Sequence, residues 1–232
     1  MSPVDAQSVS IRVNESHTVS GLYLRPPQAT VCYVLGHGAG AGMNHPSMST
    51  IADTLAAMEV ATLRYQFPYM ERGSKRPDPA PLCHATVRAA VATAGSLAPE
   101  LPLIAGGRSF GGRMTSQAQA LAPLPRIQGL AFLAFPLHPA GKPSIERAEH
   151  LSQVHIPMLF LQGSRDELAG LELLQPVVAS LGTRATLKLL PDADHSFHVP
   201  VRSGRKDADI RAEALEALVD WVRKLPAADA GD

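Results

Sequence analysis

A mostly parallel β-sheet with helices on both faces, an α/β architecture, is what this chain of 232 residues predicts. The runs "ATVCYVLG", "LPLIAGG", "GLAFLAFP" and "IPMLFLQG" are continuously apolar and each stops at Gly or Pro. Strands buried on both faces read this way, and such strands belong to parallel sheets. Helical patterns separate the runs, and strand–helix alternation means βαβ units. With 45% hydrophobic and 18% charged residues, the chain can bury one core of ordinary α/β size.

Taken in order, "SVSIRV" and "VSGLYLRP" alternate apolar with polar residues and predict an antiparallel pair at a sheet edge. "ATVCYVLG" is the first buried strand. "HPSMSTIADTLAAM" sets Met48, Ile51, Ala52 and Leu55 on one helical face, with Pro46 suited to the first turn. "VATLRYQFP" is a further strand, and Cys83 lies near the start of a helix. "LPLIAGG" leads into the helical "RMTSQAQALA"; "GLAFLAFP", "IPMLFLQG" and "ATLKLLP" complete the sheet. The closing "DADIRAEALEALVDWVRKL" sets Ile210, Ala214, Leu218, Trp221, Val222 and Leu225 on one stripe and should pack as the last helix. Residues 1–225 read as one domain and 226–232 as a flexible tail, with no internal repeat or linker.

The 21 basic and 21 acidic residues balance, which argues against a nucleic-acid binder or a polybasic membrane-surface protein. Two cysteines, Cys32 and Cys83, offer neither a disulfide framework nor a CxxC pair, which fits a cytoplasmic setting. The amino terminus lacks an apolar signal core, and no apolar run approaches bilayer length.

"GGRSFGG" is where chemistry enters. Four glycines crowd around Ser109 just past a buried strand and just before a helix. Gly107, Ser109 and Gly111 form G-x-S-x-G in the strand–turn–helix setting of a nucleophile elbow, where a tight turn exposes the serine hydroxyl and only glycine leaves room beside it. A glycine-rich phosphate loop is the alternative, but the stretch has neither the Walker Lys-Ser/Thr ending nor G-x-G-x-x-G. A serine needs a base, and the base needs an orienting acid. His195 in "LPDADHSFH" follows the strand "ATLKLL", and Asp166 in "LQGSRDELA" follows "IPMLFLQ", so both fall at the sheet edge that holds Ser109. Read singly, Asp166 could be a helix N-cap and His195 a surface histidine. Asp192 and Asp194 stand too near His195 in sequence to reach its far ring nitrogen and read as turn formers.

Two backbone amides must receive the developing oxyanion. Phe110, the residue after the nucleophile, supplies one, and Ala39 in "LGHGAGAGMNHP" supplies the other. His37 and His45 in that loop lack a carboxylate or thiolate partner at ligand spacing, so no metal is expected. Met43, Phe67, Tyr69 and His138 are candidate pocket residues. Arg108 and Arg113 flank the elbow and should brace it through carbonyls or carboxylates. The basic "MERGSKRPDP" with Arg72, Lys75 and Arg76 is either a solvated loop or an attractor of anions.

"GHGAGAGMNHP", "LRYQFPYMERGSKRPDP", "GGRSFGGRM", "FPLHPAGKP", "LQGSRDELA" and "DADHSF" together resemble the α/β-hydrolase superfamily, in a dienelactone-hydrolase-like subgroup, over nearly the whole chain. The resemblance implies that fold, the Ser109–Asp166–His195 triad and the oxyanion loop. Dienelactone hydrolases carry a cysteine nucleophile where this chain has Ser109. Lids of this fold usually follow the strand that here ends at Phe135, and "PLHPAGKPSIERAEHLSQVH" has room for one short helix and no cap domain. The expected activity is hydrolysis of an ester or related acyl bond of a small substrate without a cofactor. The other reading is a catalytically idle scaffold or interaction module.

Overall fold

In the alternating segments near the amino terminus, every second side chain turns inward. The computed structural model describes residues 5–226, so most of the expected tail, 227–232, lies outside the described residues. Strands β1 (Gln7–Arg12) and β2 (Thr18–Leu24) pair antiparallel with buried Ile11 opposite buried Val19. The chain continues through β3 (Val31–Gly36), α1 (Pro46–Ala57), β4 (Val60–Tyr65), a single turn α2 (Pro68–Glu71) and α3 (Ala80–Leu97). It then forms β5 (Leu103–Arg108), α4 (Phe110–Leu121), β6 (Ile127–Leu133), β7 (Met158–Gly163), α5 (Leu171–Ser180), β8 (Ala185–Leu190) and α6 (Asp207–Val222). The eight strands lie in the order β1-β2-β4-β3-β5-β6-β7-β8. β2 meets β4 antiparallel, and from β4 to β8 every pairing is parallel.

The continuous apolar runs occupy the middle of this sheet. Every residue of β3, β4 and β7 is buried, because helices cover both faces. One face carries Met48, Ile51 and Leu55 of α1 and Ile210, Ala214 and Leu218 of α6. The other carries Val87 and Val91 of α3, Met114 of α4 and Leu174 of α5.

α1 begins as its sequence predicts, with Pro46 in the first turn and the His45 side chain capping the Ser47 amide. α6 stops three residues short of the apolar stripe; Leu225 still packs on the core from beyond the helix end. Between β6 and β7, residues 134–157 hold one short 3₁₀ helix (Glu146–Gln153) and no cap domain. Among the described residues no helix is long and apolar enough to cross a membrane. Because β3 to β8 run parallel, their carboxyl ends gather at one edge, and the loops leaving Gly36, Arg108, Gly163 and Leu190 meet there.

Candidate active site

The turn from β5 into α4 is strained at its centre. Ser109 has φ 47° and ψ −112°, a backbone that residues with a side chain rarely adopt and that costs on the order of 1–3 kcal/mol. The turn survives because its flanks are locked. A Cβ at Gly107 would lie 2.3 Å from the Gly36 carbonyl oxygen, and one at Gly111 2.5 Å from the same atom. Both glycines therefore let β3 close directly against the elbow. The Ser109 amide donates to Leu133 O at 3.0 Å, fixing the turn to β6.

That turn aims the serine at the loop after β8. Ser109 Oγ lies 2.8 Å from His195 Nε2, and His195 Nδ1 lies 2.7 Å from Asp166 Oδ2. The Asp166 side chain is fully buried, and each oxygen is held: Oδ2 also accepts from Gln162 Nε2 at 2.5 Å, and Oδ1 accepts from the Leu168 amide at 2.8 Å. With both oxygens engaged, the carboxylate presents one lone pair to the ring, so Nδ1 carries the proton and Nε2 is free to accept from Ser109. Gln162 is itself fixed by the Phe135 amide, which donates to its Oε1 at 2.9 Å. Arg108 reaches across from β5; its guanidinium donates to His195 O at 3.1 Å and sits 5.8 Å over the Phe197 ring. Burial pushes the Arg108 pKa down. The bracing expected of Arg108 is thus present. The sequence reading assigned Gln162 no part, although its place at the end of β7 signals the acid's edge.

The other acids are engaged elsewhere. Asp194 Oδ1 accepts from the amides of Ser196 and His198 at 2.7 and 3.0 Å, and Asp192 turns the chain at φ 61°. Both behave as the turn formers that the sequence suggested.

Across the cleft lies the loop after β3. His37 is fully buried; its Nδ1 donates to Gly38 O at 2.8 Å and its Nε2 accepts from the Phe67 amide at 3.1 Å. Burial holds its pKa down at about 4, so the ring is neutral and ties this loop to the end of β4. The amides of Ala39 and Phe110 donate to no other described residue, which leaves both free at the site.

A cleft of about 400 Å³ opens over Ser109, walled by Ala39, Phe110, Arg113, Met114, Arg147 and Leu168 among others. The expected pocket residues are not among its walls. Phe67 and Tyr69 are fully buried behind it, Phe67 packing edge-on against His37 at 5.0 Å and Phe110 at 5.3 Å. The Tyr69 hydroxyl has no hydrogen-bond partner among the described residues, and burial pushes its pKa up to about 12. Met43 is buried where its amide meets Gln66 Oε1. His138 is buried as well, its amide donating to Leu168 O at 2.9 Å behind the acid loop. Phe110, at the start of α4, covers Phe67 and Tyr69, and that covering is what the local sequence could not convey. Arg113 also departs from expectation: its side chain has no hydrogen-bond or ion-pair partner among the described residues and lines the cleft, 5.7 Å from the Phe110 ring. Arg72 pairs with Asp78, while Lys75 and Arg76 are exposed and belong to the solvated loop. Among the described residues no group of three or more His, Cys, Asp or Glu stands where a metal ion could be held.

Comparison with known proteins follows the same lines. The model of a family described as an alpha/beta hydrolase domain matches residues 29–223. The fold is similar to an alpha-beta serine hydrolase homologue from Coxiella burnetii (20% identity, TM-score 0.74, covering 91% of this chain and 97% of that one). A dienelactone hydrolase from Anabaena variabilis superposes with TM-score 0.76 at 18% identity, over 97% of this chain and all of that one. A lidless a/b serine hydrolase from Xanthomonas campestris gives 0.73 at 21% identity, over 97% of both chains.

Proposed function

The chain belongs to the alpha/beta hydrolase domain family, and we propose on that basis that it is a serine hydrolase cleaving an ester or related acyl bond of a small substrate. The observation that carries this reading is the continuous hydrogen-bonded chain from Ser109 through His195 to buried Asp166, open to a cleft at its serine end.

Each group then has one task. Ser109 Oγ attacks the acyl carbon and passes its proton to His195 Nε2. Asp166 holds the ring and stabilises the imidazolium that forms. The carbonyl oxygen gains charge and takes hydrogen bonds from the Ala39 and Phe110 amides, at the positive end of α4. As the tetrahedral species collapses, the leaving group takes the proton from Nε2 and Ser109 is acylated. Water enters, gives a proton to Nε2 and attacks the same carbon; the acid leaves and Oγ recovers its proton. These steps need no cofactor.

A cleft of about 400 Å³ without an inserted lid suits short acyl groups. The preference for long chains that a deep tunnel confers scales at about 25 cal/mol per Å² of apolar surface buried, and little such surface is on offer. The test is kcat/KM across p-nitrophenyl esters from acetate to palmitate. Turnover should be highest at acetate to butyrate. A steep rise toward palmitate contradicts the small-substrate reading, and failure to turn over any ester or thioester favours the idle-scaffold reading.

A further inference from the structure

We propose that Arg113 and Arg147 form an anion-binding subsite beside Ser109, and that the substrate carries a carboxylate close to its scissile bond. The proposal rests on the hydrolase reading and narrows its substrate.

Arg113 stands one helical turn after Ser109 on α4. Side chains on a helix lean toward its amino terminus, so the guanidinium comes back over the elbow, beside the Phe110 ring. Arg147 arrives from the 3₁₀ helix between β6 and β7, and both arginines wall the cleft that holds Ser109. Neither makes a side-chain hydrogen bond or ion pair with any described residue, and Arg113 Nε is buried without a partner. Several other arginines are engaged: Arg205 with Glu213, Arg25 with Glu100, and Arg126 with four backbone carbonyls.

The titratable neighbours do not supply the missing charge. Asp78 is the one carboxylate in the cleft wall, and its Oδ1 is taken by Arg72 at 2.5 Å while its Oδ2 is buried without a hydrogen bond. His84 of α3 bonds Gln117, and His150 bonds Ser116 Oγ. Burial and the Arg113 charge hold His150 down at about 4, so it stays neutral and adds no further positive charge. Burial lowers the pKa of Arg113, and the Arg147 charge lowers it further. Two like charges with free donors on one wall, next to a nucleophile, are relieved by a planar oxyanion, which a guanidinium binds in a two-point geometry. A carboxylate fits that wall; a neutral acyl chain leaves the donors unused.

The experiment compares matched neutral and anionic esters, each normalised to its hydroxide rate. 4-Nitrophenyl butyrate against mono-4-nitrophenyl glutarate places the charge on the acyl side. Phenyl acetate against 4-acetoxybenzoate places it on the leaving group. In one pair the anionic ester should lead by at least about tenfold in kcat/KM at low salt, the worth of one charge-assisted hydrogen bond. That ratio should fall toward one in Arg113→Gln and Arg147→Gln, and Arg113→Lys should keep part of it. General damage to the fold lowers both members of a pair and leaves the ratio alone. A wild-type ratio near one in both pairs, or a ratio that neither substitution changes, overturns the subsite. If no ester is hydrolysed, the hydrolase reading fails and the subsite is judged by calorimetric titration with glutarate. Binding lost in Arg113→Gln supports it, and no binding to the wild type overturns it.

Discussion

The two walls of the cleft satisfy their polar groups in opposite ways. On the side built by β5, β7 and β8, Asp166 uses both oxygens, Gln162 is held at its amide oxygen and nitrogen, and the Arg108 guanidinium reaches the His195 carbonyl. On the side built by α4 and the 3₁₀ helix, Arg113 and Arg147 have no partner among the described residues. A buried polar atom left unpaired, as Arg113 Nε is, costs about 1–3 kcal/mol. The first wall spends its hydrogen bonds on fixing one geometry, as a reaction centre requires. The second leaves its donors unpaired, as the proposed anion subsite requires.

Substitutions can break this contrast. The largest effect should come from the acid. Asp166→Asn leaves the shape but reverses the hydrogen bond to Nδ1, and kcat should fall by about 10⁴-fold, the cost of a wrong imidazole tautomer. Asp194→Asn keeps the oxygen that accepts the Ser196 and His198 amides and should cost far less. If Asp194→Asn proves the more damaging in steady-state assays, the acid has been misassigned. Arg108 is a milder test of the same wall. Loss of its hydrogen bond to His195 O in Arg108→Met should lower kcat by about tenfold with little change in KM, from a charged hydrogen bond of about 1.5 kcal/mol. Arg108→Lys should restore part of it, and a purely structural role would instead appear as a lower Tm with kcat preserved.

The smallest effect concerns pH and stability. Burial holds His37 at about 4 against an ordinary 6.5. Between these values the unfolded chain binds a proton that the folded chain refuses. Stability is therefore fully present above pH 6.5 and declines as pH falls toward 4, by up to about 3 kcal/mol from this ring. His150, also held at about 4, acts in the same direction. Thermal melts at pH 7 and pH 4.5 should show a drop in Tm, smaller in His37→Asn than in the wild type. Equal drops would show that His37 is protonated within the fold.

The strands were legible because burial on both faces leaves a mark that needs no tertiary knowledge: β3 is apolar throughout, β7 is apolar up to Gln162, and β4 breaks its apolar run at Thr62 and Arg64 alone. The elbow was legible for a similar reason, since the demand for glycine beside Ser109 comes from the close approach of β3, and only one residue type meets it. α5 left a weaker mark. Pro176 lies inside it, and an internal proline ordinarily argues against a helix. The pocket was misread because Phe67 and Tyr69 follow a strand at the active edge, where aromatic side chains suggest a wall. Their burial depends on Phe110, which packs over them from a distant part of the chain. Arg113 carried a usable signal, one turn after Ser109 and on its face of the helix. Arg147 carried none, because a short 3₁₀ helix has no spacing rule that says which side chain faces a cleft.

The hydrolase reading requires an activated hydroxyl at Ser109. Treatment of the folded protein with a fluorophosphonate, followed by peptide mass mapping, tests it most directly, because only a serine with a working base attacks phosphorus at a useful rate. One phosphonylated peptide carrying Ser109 is expected, absent in Ser109→Ala and strongly reduced in His195→Ala, with both variants folded. A folded wild type that takes no label, or takes it at another residue, rules out an activated Ser109.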